Sequence, residues 1–572
     1  MKKTTLLIIL LFINALWVYA QHPRLQQKTY PKQYFRAPLD LAPQAAGSFG
    51  ELRANHFHSG TDYRTNQREG YPVYAAADGY ISRARVQIGG GGNALYIDHP
   101  NGYTSVYMHL QRFNDKITAF VKSKQYEEKR FDVDFPLTAL AIPVKKGEII
   151  AYSGSTGAVA GPHVHFELRD TKTEHPINAQ LFGLTIPDQI PPIISGITVY
   201  RFGNQAYSEE TPREHLQVVG SKGQYRLTST KAITINGITG FGIVTIDQNS
   251  ASANRNGVYA IELSLDGTPI YAAVWESYSF DNSRAINAHI DYATYILHNR
   301  RVQKSFVEPG NQLEIYQKLV NNGLININDG KIHEVTYHVS DVMGNTSRLS
   351  FTVQNNPNYT IDEPVNQAST FFPYNKDNVF TNEQVRVTIP KGNLYSDLQF
   401  KYAQGQLAKN GYSYIHHIHN RMVPIHQGYT LAIKADRLPV RLQNKALLVS
   451  TLGGSQGGIY KDGYISTTAR SLGSFYIAVD TVAPIIRSLN LTANKNMASF
   501  NRINFKISDN LSGIQSFNGF IDDQWVLMGY DPKTASIWHV FEKELAKGKH
   551  HFKLIVKDWK DNERTFEADF LR

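Results

Sequence analysis

The chain has 572 residues, with 59 lysines and arginines against 49 aspartates and glutamates, a formal net charge of +10 and no cysteine. This length exceeds what one hydrophobic core supports, so about three to five domains are expected, and the lack of cysteine excludes disulfides and a lipid-modified N-terminal cysteine. The moderate positive charge suits a polyanionic partner or simply a soluble basic surface, and without a dense basic run it does not indicate nucleic acid.

The first 20 residues have the pattern of a secretory signal peptide. Lys2 and Lys3 precede an apolar run from Leu6 to Val18, and the small residue Ala20 precedes Gln21. The run is too short for a membrane-spanning helix, and no second apolar stretch of that length follows. We therefore predict an exported protein without a transmembrane segment, located in the periplasm or cell envelope, with full secretion as an open alternative.

Three short segments downstream together contain the side chains that a hydrolytic zinc centre requires. They are His58-Ser59-Gly60-Thr61-Asp62, Tyr107-Met108-His109-Leu110 and Gly161-Pro162-His163-Val164-His165-Phe166-Glu167. Such a centre needs three protein ligands, an open position for water, and groups that move protons and stabilise an oxyanion. The glycine between His58 and Asp62 favours a turn over a helix, and a turn lets an imidazole and a carboxylate converge on one ion.

Alternation along the other two segments predicts how further histidines join this site. Successive side chains of a strand point to opposite faces, so His163, His165 and Glu167 share one face. By the same parity His109 shares a face with Tyr107. Two neighbouring strands of this kind would aim His109, His163 and His165 into one groove.

The stretches between these segments also follow a pattern. Gly70–Gly79 and Gly92–Gly102 lie between the first two segments, and Lys146–Gly157 precedes the third. Together with the histidine segments, and in this order, they resemble the lysostaphin-type, or LytM-like, zinc endopeptidases, which cut the peptide part of bacterial peptidoglycan. The resemblance extends over roughly residues 49–182, about a quarter of the chain.

The resemblance implies a role for each of five residues. His58, Asp62 and His165 would bind one zinc ion per chain, while His109 and His163 would stand beside the metal without ligating it. Two neutral imidazoles and one carboxylate leave the zinc with a net positive charge, which acidifies bound water and polarises a scissile carbonyl. One assisting histidine would take the water's proton and the other would stabilise the oxyanion, and which does which stays open.

Two other groups of polar residues allow more than one interpretation. Glu167 either orients an imidazole from behind or is simply an exposed strand glutamate. Farther along, His416, His417 and His419 lie close together. Exposed strand residues are favoured there over an independent metal site, because no carboxylate lies nearby in sequence.

Downstream of the catalytic segments the chain contains an internal repeat. Residues 188–199 resemble 480–491, and residues 333–345 resemble 550–562 in the same order. Each copy ends as an alternating strand, a turn with aspartate and asparagine, and a second alternating strand. The copies are similar to bacterial immunoglobulin-like or fibronectin-like β-sandwich modules, and the first is enlarged by insertions near residues 265–330.

The predicted fold is therefore mainly β, with an antiparallel β-sheet catalytic domain followed by β-sandwich modules. An insert in the catalytic domain departs from the compact family pattern and predicts a lobe beside the groove. The predicted boundaries are 1–20 for the signal peptide, 21–48 for an N-terminal segment, 49–185 for the zinc endopeptidase domain with its insert at 114–143, 186–357 for a sandwich with insertions, 358–478 for a strand-rich domain of unknown type, and 479–572 for a C-terminal sandwich.

The expected function follows from the resemblance. It implies a secreted zinc metalloendopeptidase that hydrolyses peptide bonds in peptidoglycan cross-links or stem peptides through a metal-activated water. One alternative is a non-catalytic cell-wall-binding protein or amidase activator, and another is a peptidase acting on glycine-rich proteins. Peptidoglycan is the expected partner, the C-terminal β modules could dock on a protein of the envelope, and nucleic acid is not expected.

Overall fold

The computed structural model of the chain describes residues 25–203, 205–360, 369–542 and 545–572. Strands dominate and most pairings are antiparallel, so the prediction of a mainly β chain is confirmed. The predicted signal peptide, residues 1–20, lies outside the described residues. Within the described ranges, no helix combines the length and the apolar character needed to cross a bilayer.

The N-terminal domain is built on a nine-stranded sheet. The domain has fourteen strands in all, some of them in smaller sheets: β1 (Ala45–Gly47), β2 (Leu52–Arg53), β3 (His56–Phe57), β4 (Thr61–Arg64), β5 (Pro72–Tyr74), β6 (Gly79–Val86), β7 (Asn93–Asp98), β8 (Tyr103–Leu110), β9 (Arg112–Phe113), β10 (Val133–Pro136), β11 (Pro143–Val144), β12 (Ile149–Tyr152), β13 (His163–Asp170) and β14 (Pro176–Ile177). The order in the large sheet is β1-β4-β13-β8-β7-β6-β10, with β11 beside β6 and β14 beside β13. Strand β13 therefore lies between β4 and β8.

One face of this sheet packs on the domain core. Val164, Phe166 and Leu168 of β13 are fully buried in it, as their alternation with polar residues predicts. The N-terminal segment contributes Tyr30 and Phe35 to the same core and ends at β1 on the sheet edge. The opposite face of β13 carries its polar residues, including the predicted ligand His165.

The insert at residues 114–143 takes a different place from the predicted one. It contains helix α1 (Asp115–Glu128), whose N-terminus is capped by Asn114, followed by β10, which extends the edge of the sheet. None of its described residues lines the groove of the metal centre. Instead, α1 contacts the C-terminal sandwich, where Tyr126 donates a hydrogen bond to Glu542. The prediction of a lobe beside the groove is wrong, because the helix packs against another domain.

The next region, called the first sandwich below, joins the N-terminal domain, and its eleven strands are hydrogen-bonded into one sheet around a single core. Its strands are Ile193–Gly203, Arg213–Ser221, Gln224–Leu227, Ile233–Ile235, Ile238–Ile246, Ala260–Leu265, Thr268–Val274, Gln303–Lys304, Tyr316–Leu319, Ile332–Ser340 and Thr346–Asn355, and its helices are Ile286–His289 and Tyr292–His298. Phe57 of the N-terminal domain is buried in the core of this sandwich against Trp275 and Tyr278. Because Phe57 precedes His58, sandwich packing directly supports a predicted metal ligand.

The third region is also strand-rich. Its strands are Thr370–Phe372, Asn378–Thr381, Val385–Ile389, Leu398–Phe400, Tyr402–Leu407, Tyr414–Ile418, Tyr429–Lys434, Ala446–Ser450, Ile459–Lys461, Tyr464–Ala469 and Gly473–Val479. Thr370–Phe372 and Leu398–Phe400 pair as a two-stranded sheet, and the other nine strands form a five- and a four-stranded sheet that share one core, with Val387 and Leu431 from the first and Ile418 and Ile477 from the second.

The C-terminal region is a smaller sandwich. Its strands are Ile485–Ser488, Lys495–Asn496, Arg502–Ser508, Ile514–Ile521, Gln524–Val526, Gly529–Asp531, Ser536–Val540, Lys549–Asp558 and Glu563–Leu571, and short 3₁₀ helices elsewhere span Ala179–Phe182, Ser283–Ala285, Asn321–Gly323 and Val440–Lys445. Phe505 of one sheet stacks on Phe552 of the other at 5.4 Å between ring centroids. An immunoglobulin-like or fibronectin-like character of the sandwiches stays a prediction, as do the domain boundaries.

Candidate metal centre

Neighbouring strands bring the predicted ligands together. His165 of β13 pairs in register with Asp62 of β4, and His58 lies just before β4. The chain bends at Gly60, between His58 and Asp62, which brings these two side chains together. A Cβ atom at Gly60 would lie 2.4 Å from the carbonyl oxygen of Phe166, so only glycine permits the close approach.

The three predicted ligands form a tight triangle of donor atoms. His58 Nε2 lies 3.0 Å from Asp62 Oδ1, His165 Nδ1 lies 2.8 Å from the same oxygen, and the two nitrogens are 3.0 Å apart. All three side chains are buried. Two imidazoles and a carboxylate within reach of one point are a donor set that zinc accepts in catalytic sites. The residues therefore fit a zinc ion.

Hydrogen bonds behind the triangle fix which ring nitrogens are free. His58 Nδ1 donates to the carbonyl oxygen of Ser48 at 2.7 Å, and His165 Nε2 lies 2.8 Å from Glu167 Oε1. Because each of these partners is an acceptor, the lone pairs of the two rings lie on the nitrogens that face each other. Both rings are thus oriented for metal binding.

The charges of the triangle favour a cation at its centre. The histidines His58, His163 and His165 hold the pKa of Asp62 well below its usual range, although burial alone would raise it. Burial opposes a charge on His165, but its hydrogen bonds to Asp62 and Glu167 raise its pKa to about 9. Without a metal these hydrogen bonds favour a second proton on His165 Nδ1, and zinc binding would displace that proton and use the lone pair that faces His58.

Glu167 supports His165 from inside the protein. Its side chain is fully buried, and it also accepts hydrogen bonds from Ser59 Oγ at 2.6 Å and Arg169 Nε at 2.5 Å. Burial would raise the pKa of Glu167, but Arg169 and His165 lower it. The carboxylate is therefore ionised, and of the two interpretations allowed by the sequence, the exposed strand glutamate is wrong.

We expect Glu167→Gln to weaken zinc binding by roughly 10–100-fold, the usual effect of losing a partner behind a ligating histidine. The change keeps the side chain's size but removes the charge that orients His165 and pairs with Arg169. Competition with a chromogenic chelator measures the zinc affinity. Glu174→Gln is the matched control, because Glu174 is exposed in the turn after β13. Equal zinc affinities for the two variants would contradict this role.

The two predicted assisting histidines lie beside the triangle. The rings of His109 and His163 are 4.9 Å apart, and His163 Nε2 lies 3.5 Å from Asp62 Oδ1. His109 Nδ1 donates to the carbonyl of Thr156 at 3.0 Å, and His163 Nδ1 donates to the carbonyl of Gly161 at 2.9 Å. Each ring therefore keeps the lone pair on Nε2. Burial first, then the neighbouring histidines, lower the pKa of His109 to about 3.

His109 reaches the groove by a route that alternation does not predict. In β8, Met108 pairs with His165 and lines the groove, while Tyr107 pairs with Phe166 and is buried in the core. The prediction that His109 and Tyr107 share a face is therefore wrong. His109 has a left-handed backbone with φ of 64°, which breaks the alternation and returns its ring to the face of His165.

The metal centre lies at the base of a groove of about 1240 Å³. Sequence reasoning did not find the arginines of its wall, which come from distant positions and share no motif, namely Arg53, Arg64, Arg83, Arg85 and Arg169. It also missed the backbone carbonyls that orient the histidines. His56 is exposed, and it lines the same groove without contacting the triangle.

The distant histidines differ from the prediction of exposed strand residues. His416 is fully buried and its Nδ1 lies 3.0 Å from the hydroxyl of Tyr402. His419 is also buried, and its Nε2 lies 2.9 Å from a carboxylate oxygen of Glu209. The prediction of exposure is wrong there, because both rings have polar partners inside the protein. In the part of the chain that the structure describes, neither belongs to a metal-binding cluster.

The donor set and the antiparallel sheet have the features that a zinc metallopeptidase requires. The family model described as Peptidase family M23 matches residues 56–126, which include His58, Asp62 and His109. Residues 56–126 are thus similar to Peptidase family M23 over the part of the domain that contains these three side chains. A second model, described as a Zu5-like domain, matches residues 369–480, the strand-rich region whose type the sequence did not reveal.

Similar proteins match over this domain. An "Uncharacterized metalloprotease" of Haemophilus influenzae is 32% identical over 165 residues, which are 28% of this chain and 30% of that protein. A "Peptidoglycan DD-endopeptidase ShyC" of Vibrio cholerae is 32% identical over 145 residues, 24% of this chain and 27% of the relative. A solved zinc-containing peptidase from Vibrio cholerae is 28% identical, covering 27% of this chain and 38% of that one with a TM-score of 0.18. The chain thus spans less than a third of these two curated relatives.

Proposed function

We propose that this chain is an exported zinc metalloendopeptidase that hydrolyses peptide bonds in peptidoglycan cross-links or stem peptides. The observation that carries the proposal is the convergence of His58, Asp62 and His165 on one point, with donor atoms no more than 3.0 Å apart. Beside them, His109 and His163 are placed to move protons. A merely structural zinc site would need neither a substrate groove nor these two rings.

The proposed chemistry divides between the metal and the histidines. Zinc, when bound, would act as a Lewis acid that acidifies a water molecule and polarises the scissile carbonyl. The Nε2 lone pairs of His109 and His163 can accept a proton, because each Nδ1 hydrogen is held by a backbone carbonyl. Once protonated, the same ring can donate a hydrogen bond to the tetrahedral oxyanion. The geometry therefore allows either histidine to serve as the base, although the lowered pKa of His109 disfavours a proton on that ring.

The charge of the groove supports a peptidoglycan substrate. Its arginines, among them Arg64 and Arg85, present guanidinium groups that suit the carboxylates of stem peptides. The Vibrio cholerae relative is named as a peptidoglycan DD-endopeptidase, which favours D-alanyl-diaminopimelate cross-links as the substrate. Export rests on the predicted signal peptide, and docking of the C-terminal modules on an envelope protein stays a prediction.

Two other functions were open from the sequence. A wall-binding protein or amidase activator has no use for a complete ligand set, and here all three ligands and both assisting histidines converge. A peptidase for glycine-rich proteins would use the same machinery and would differ only in substrate. The arginine-lined groove favours peptides that carry several carboxylates over glycine-rich chains, which carry few.

Digestion of purified sacculi tests this proposal. The zinc-loaded chain is incubated with sacculi, the released fragments are identified by mass spectrometry, and the new amino termini are mapped. We expect cross-linked fragments to be converted to monomers, with no such conversion by Asp62→Ala. A glycine-rich protein incubated in parallel should stay intact. Cleavage of that protein with untouched sacculi would favour the alternative substrate, and the absence of any cleavage would favour the wall-binding function.

A further inference from the structure

A second cluster of ionisable side chains lies where the first sandwich meets the N-terminal domain. Asp188, Asp247 and Asp341 have carboxylate oxygens within 4.8 Å of one another. Asp188 precedes the first strand of the sandwich, and the other two directly follow the strands Ile238–Ile246 and Ile332–Ser340. Among the described residues, none of the three carboxylates forms a salt bridge. Like charges this close repel unless a cation lies between them.

The same cluster contains buried oxygen atoms without hydrogen-bond partners. Asp247, Asn249 and Asn256 line a cavity of about 30 Å³ together with Asp188 and Asp341. The Oδ1 atoms of Asp247, Asn249 and Asn256 are buried without a hydrogen-bond partner, and these residues are only 7%, 5% and 4% exposed. Buried acceptors are rarely left unsatisfied, since each costs roughly 1–3 kcal/mol. A cation bound in this small cavity would satisfy the three oxygens that have no hydrogen-bond partner.

We propose that Asp188, Asp247 and Asp341 bind a calcium ion, with Asn249 and Asn256 supplying neutral oxygens. Calcium takes six to eight oxygen ligands from carboxylates, amide carbonyls and water in flexible geometry. The absence of a ring nitrogen among these five side chains separates this site from the zinc centre, whose ligands include two imidazoles.

The protonation of the carboxylates agrees with this assignment. Burial, together with the neighbouring Asp341 and Asp188, raises the pKa of Asp247 to about 8. Burial likewise raises the pKa of Asp341 to about 6. Negative charge is therefore disfavoured in the cavity by burial and by the neighbouring carboxylates, and a divalent ion would offset both effects.

The C-terminal sandwich contains the equivalent cluster, formed by Asp480, Asp509 and Asp558. The internal repeat relates the two clusters atom by atom. Asn345 Nδ2 donates to Asp341 Oδ2 and to the carbonyl of Asp188, and Asn562 Nδ2 donates to Asp558 Oδ2 and to the carbonyl of Asp480. The two sandwiches thus share the same arrangement of hydrogen bonds around their aspartate clusters.

One residue separates the two copies chemically. Two positions after Asp558 stands Lys560, which is 8% exposed, whereas two positions after Asp341 stands Met343. Burial lowers the pKa of Lys560, and attraction to Asp480 and Asp558 opposes that shift. Lys560 Nζ donates to the carbonyl of Gly458 at 2.6 Å, so this lysine acts on the C-terminal carboxylates by longer-range attraction, and the first cluster has no lysine at the equivalent position. The C-terminal cluster also holds a buried oxygen without a hydrogen-bond partner, Asp509 Oδ1, but it has this lysine nearby, so the calcium site is proposed for the first sandwich.

The proposed ion would hold a loop that supports the zinc centre. Next to Asn256, the amide of Gly257 donates to Ser48 Oγ at 2.9 Å, and the carbonyl of Ser48 accepts from His58 Nδ1. In the same loop, Asn254 Nδ2 donates to the carbonyl of Ala46 at 2.6 Å. Calcium would therefore fasten the first sandwich to the strand behind His58.

Calcium binding to the full chain tests the proposal. The protein is stripped of divalent ions, reloaded with one equivalent of zinc, and dialysed against radioactive calcium. We expect one calcium per chain and a rise in the unfolding temperature on its addition. Asp247→Asn should lower the calcium affinity by at least about tenfold, because a charged ligand is lost. The matched change Asp509→Asn, in the cluster that has its own lysine, should leave calcium binding unchanged.

A second variant keeps the test decisive if Asp247→Asn does not fold. Met343 lines the cavity of the first cluster and is 43% exposed, so Met343→Lys should fold and place an ammonium group beside the carboxylates, which should weaken calcium binding and reduce the calcium-dependent rise in unfolding temperature. Three results would overturn the proposal: no calcium bound by the wild-type chain at millimolar concentration, undiminished binding by Met343→Lys, or binding lost in Asp509→Asn. None of these readouts depends on peptidase activity, so the calcium proposal and the proposed peptidase function are tested separately.

Discussion

Asp62→Ala is expected to lose both zinc and peptidase activity. Asp62 Oδ1 contacts both ligating imidazoles, and Asp62 is the only carboxylate of the donor triangle. Losing a partner behind a ligand weakens zinc by roughly 10–100-fold, so loss of the ligand itself should exceed about 100-fold. Metal analysis should return one zinc per wild-type chain and none for the variant, and sacculus digestion should stop.

The control for this variant is Asp132→Ala, an exposed aspartate of the same domain. It should keep zinc and activity, which separates loss of the ligand from loss of one negative charge. His165→Ala should behave like Asp62→Ala, because its Nδ1 is the third donor. A folded Asp62→Ala chain that still holds one zinc with wild-type affinity would refute the assigned triangle.

Part of this site could be predicted because local geometry determines it. Alternation along β13 correctly separates Val164 and Phe166, which enter the core, from His163 and His165, which face the groove. The glycine at position 60 correctly indicates a bend in place of a helix. These features depend only on neighbouring residues, so the sequence carries them.

Other parts of the site depend on tertiary contacts. The left-handed backbone at His109 turns its side chain to the face opposite the one that strand alternation predicts. No local residue pattern predicts this backbone conformation. The carbonyls of Ser48 and Thr156 that orient His58 and His109 belong to segments identified only by the fold. A backbone acceptor leaves no signature in side-chain identity, which is why sequence reasoning missed it.

Long-range packing explains the two misplaced features. The insert helix α1 contains Tyr126, whose partner Glu542 lies in the C-terminal sandwich, so its position cannot be read from its own segment. Similarly, His419 was expected at the surface, but Glu209 of the first sandwich covers it. The contacts of Tyr126 and His419 could not be predicted from their own segments, because their partners lie hundreds of positions away in sequence.

His109→Ala and His163→Ala are expected to keep zinc and lose turnover. Neither ring belongs to the donor triangle, but both keep Nε2 lone pairs beside it. Loss of a general base typically costs about 10²–10⁴-fold, and loss of an oxyanion donor about 10²–10³-fold. Zinc content and kcat, measured together on one cross-linked peptide substrate, separate this result from that of Asp62→Ala.

The exposed His56 supplies the matched control, since it lines the same groove. His56→Ala should keep both zinc and kcat. If one assisting histidine takes the proton and the other stabilises the oxyanion, the two act as one unit. The double variant should then be little slower than the slower of the two single variants. Full activity of His109→Ala would remove that residue from the assisting pair and leave His163 as the only base beside the metal.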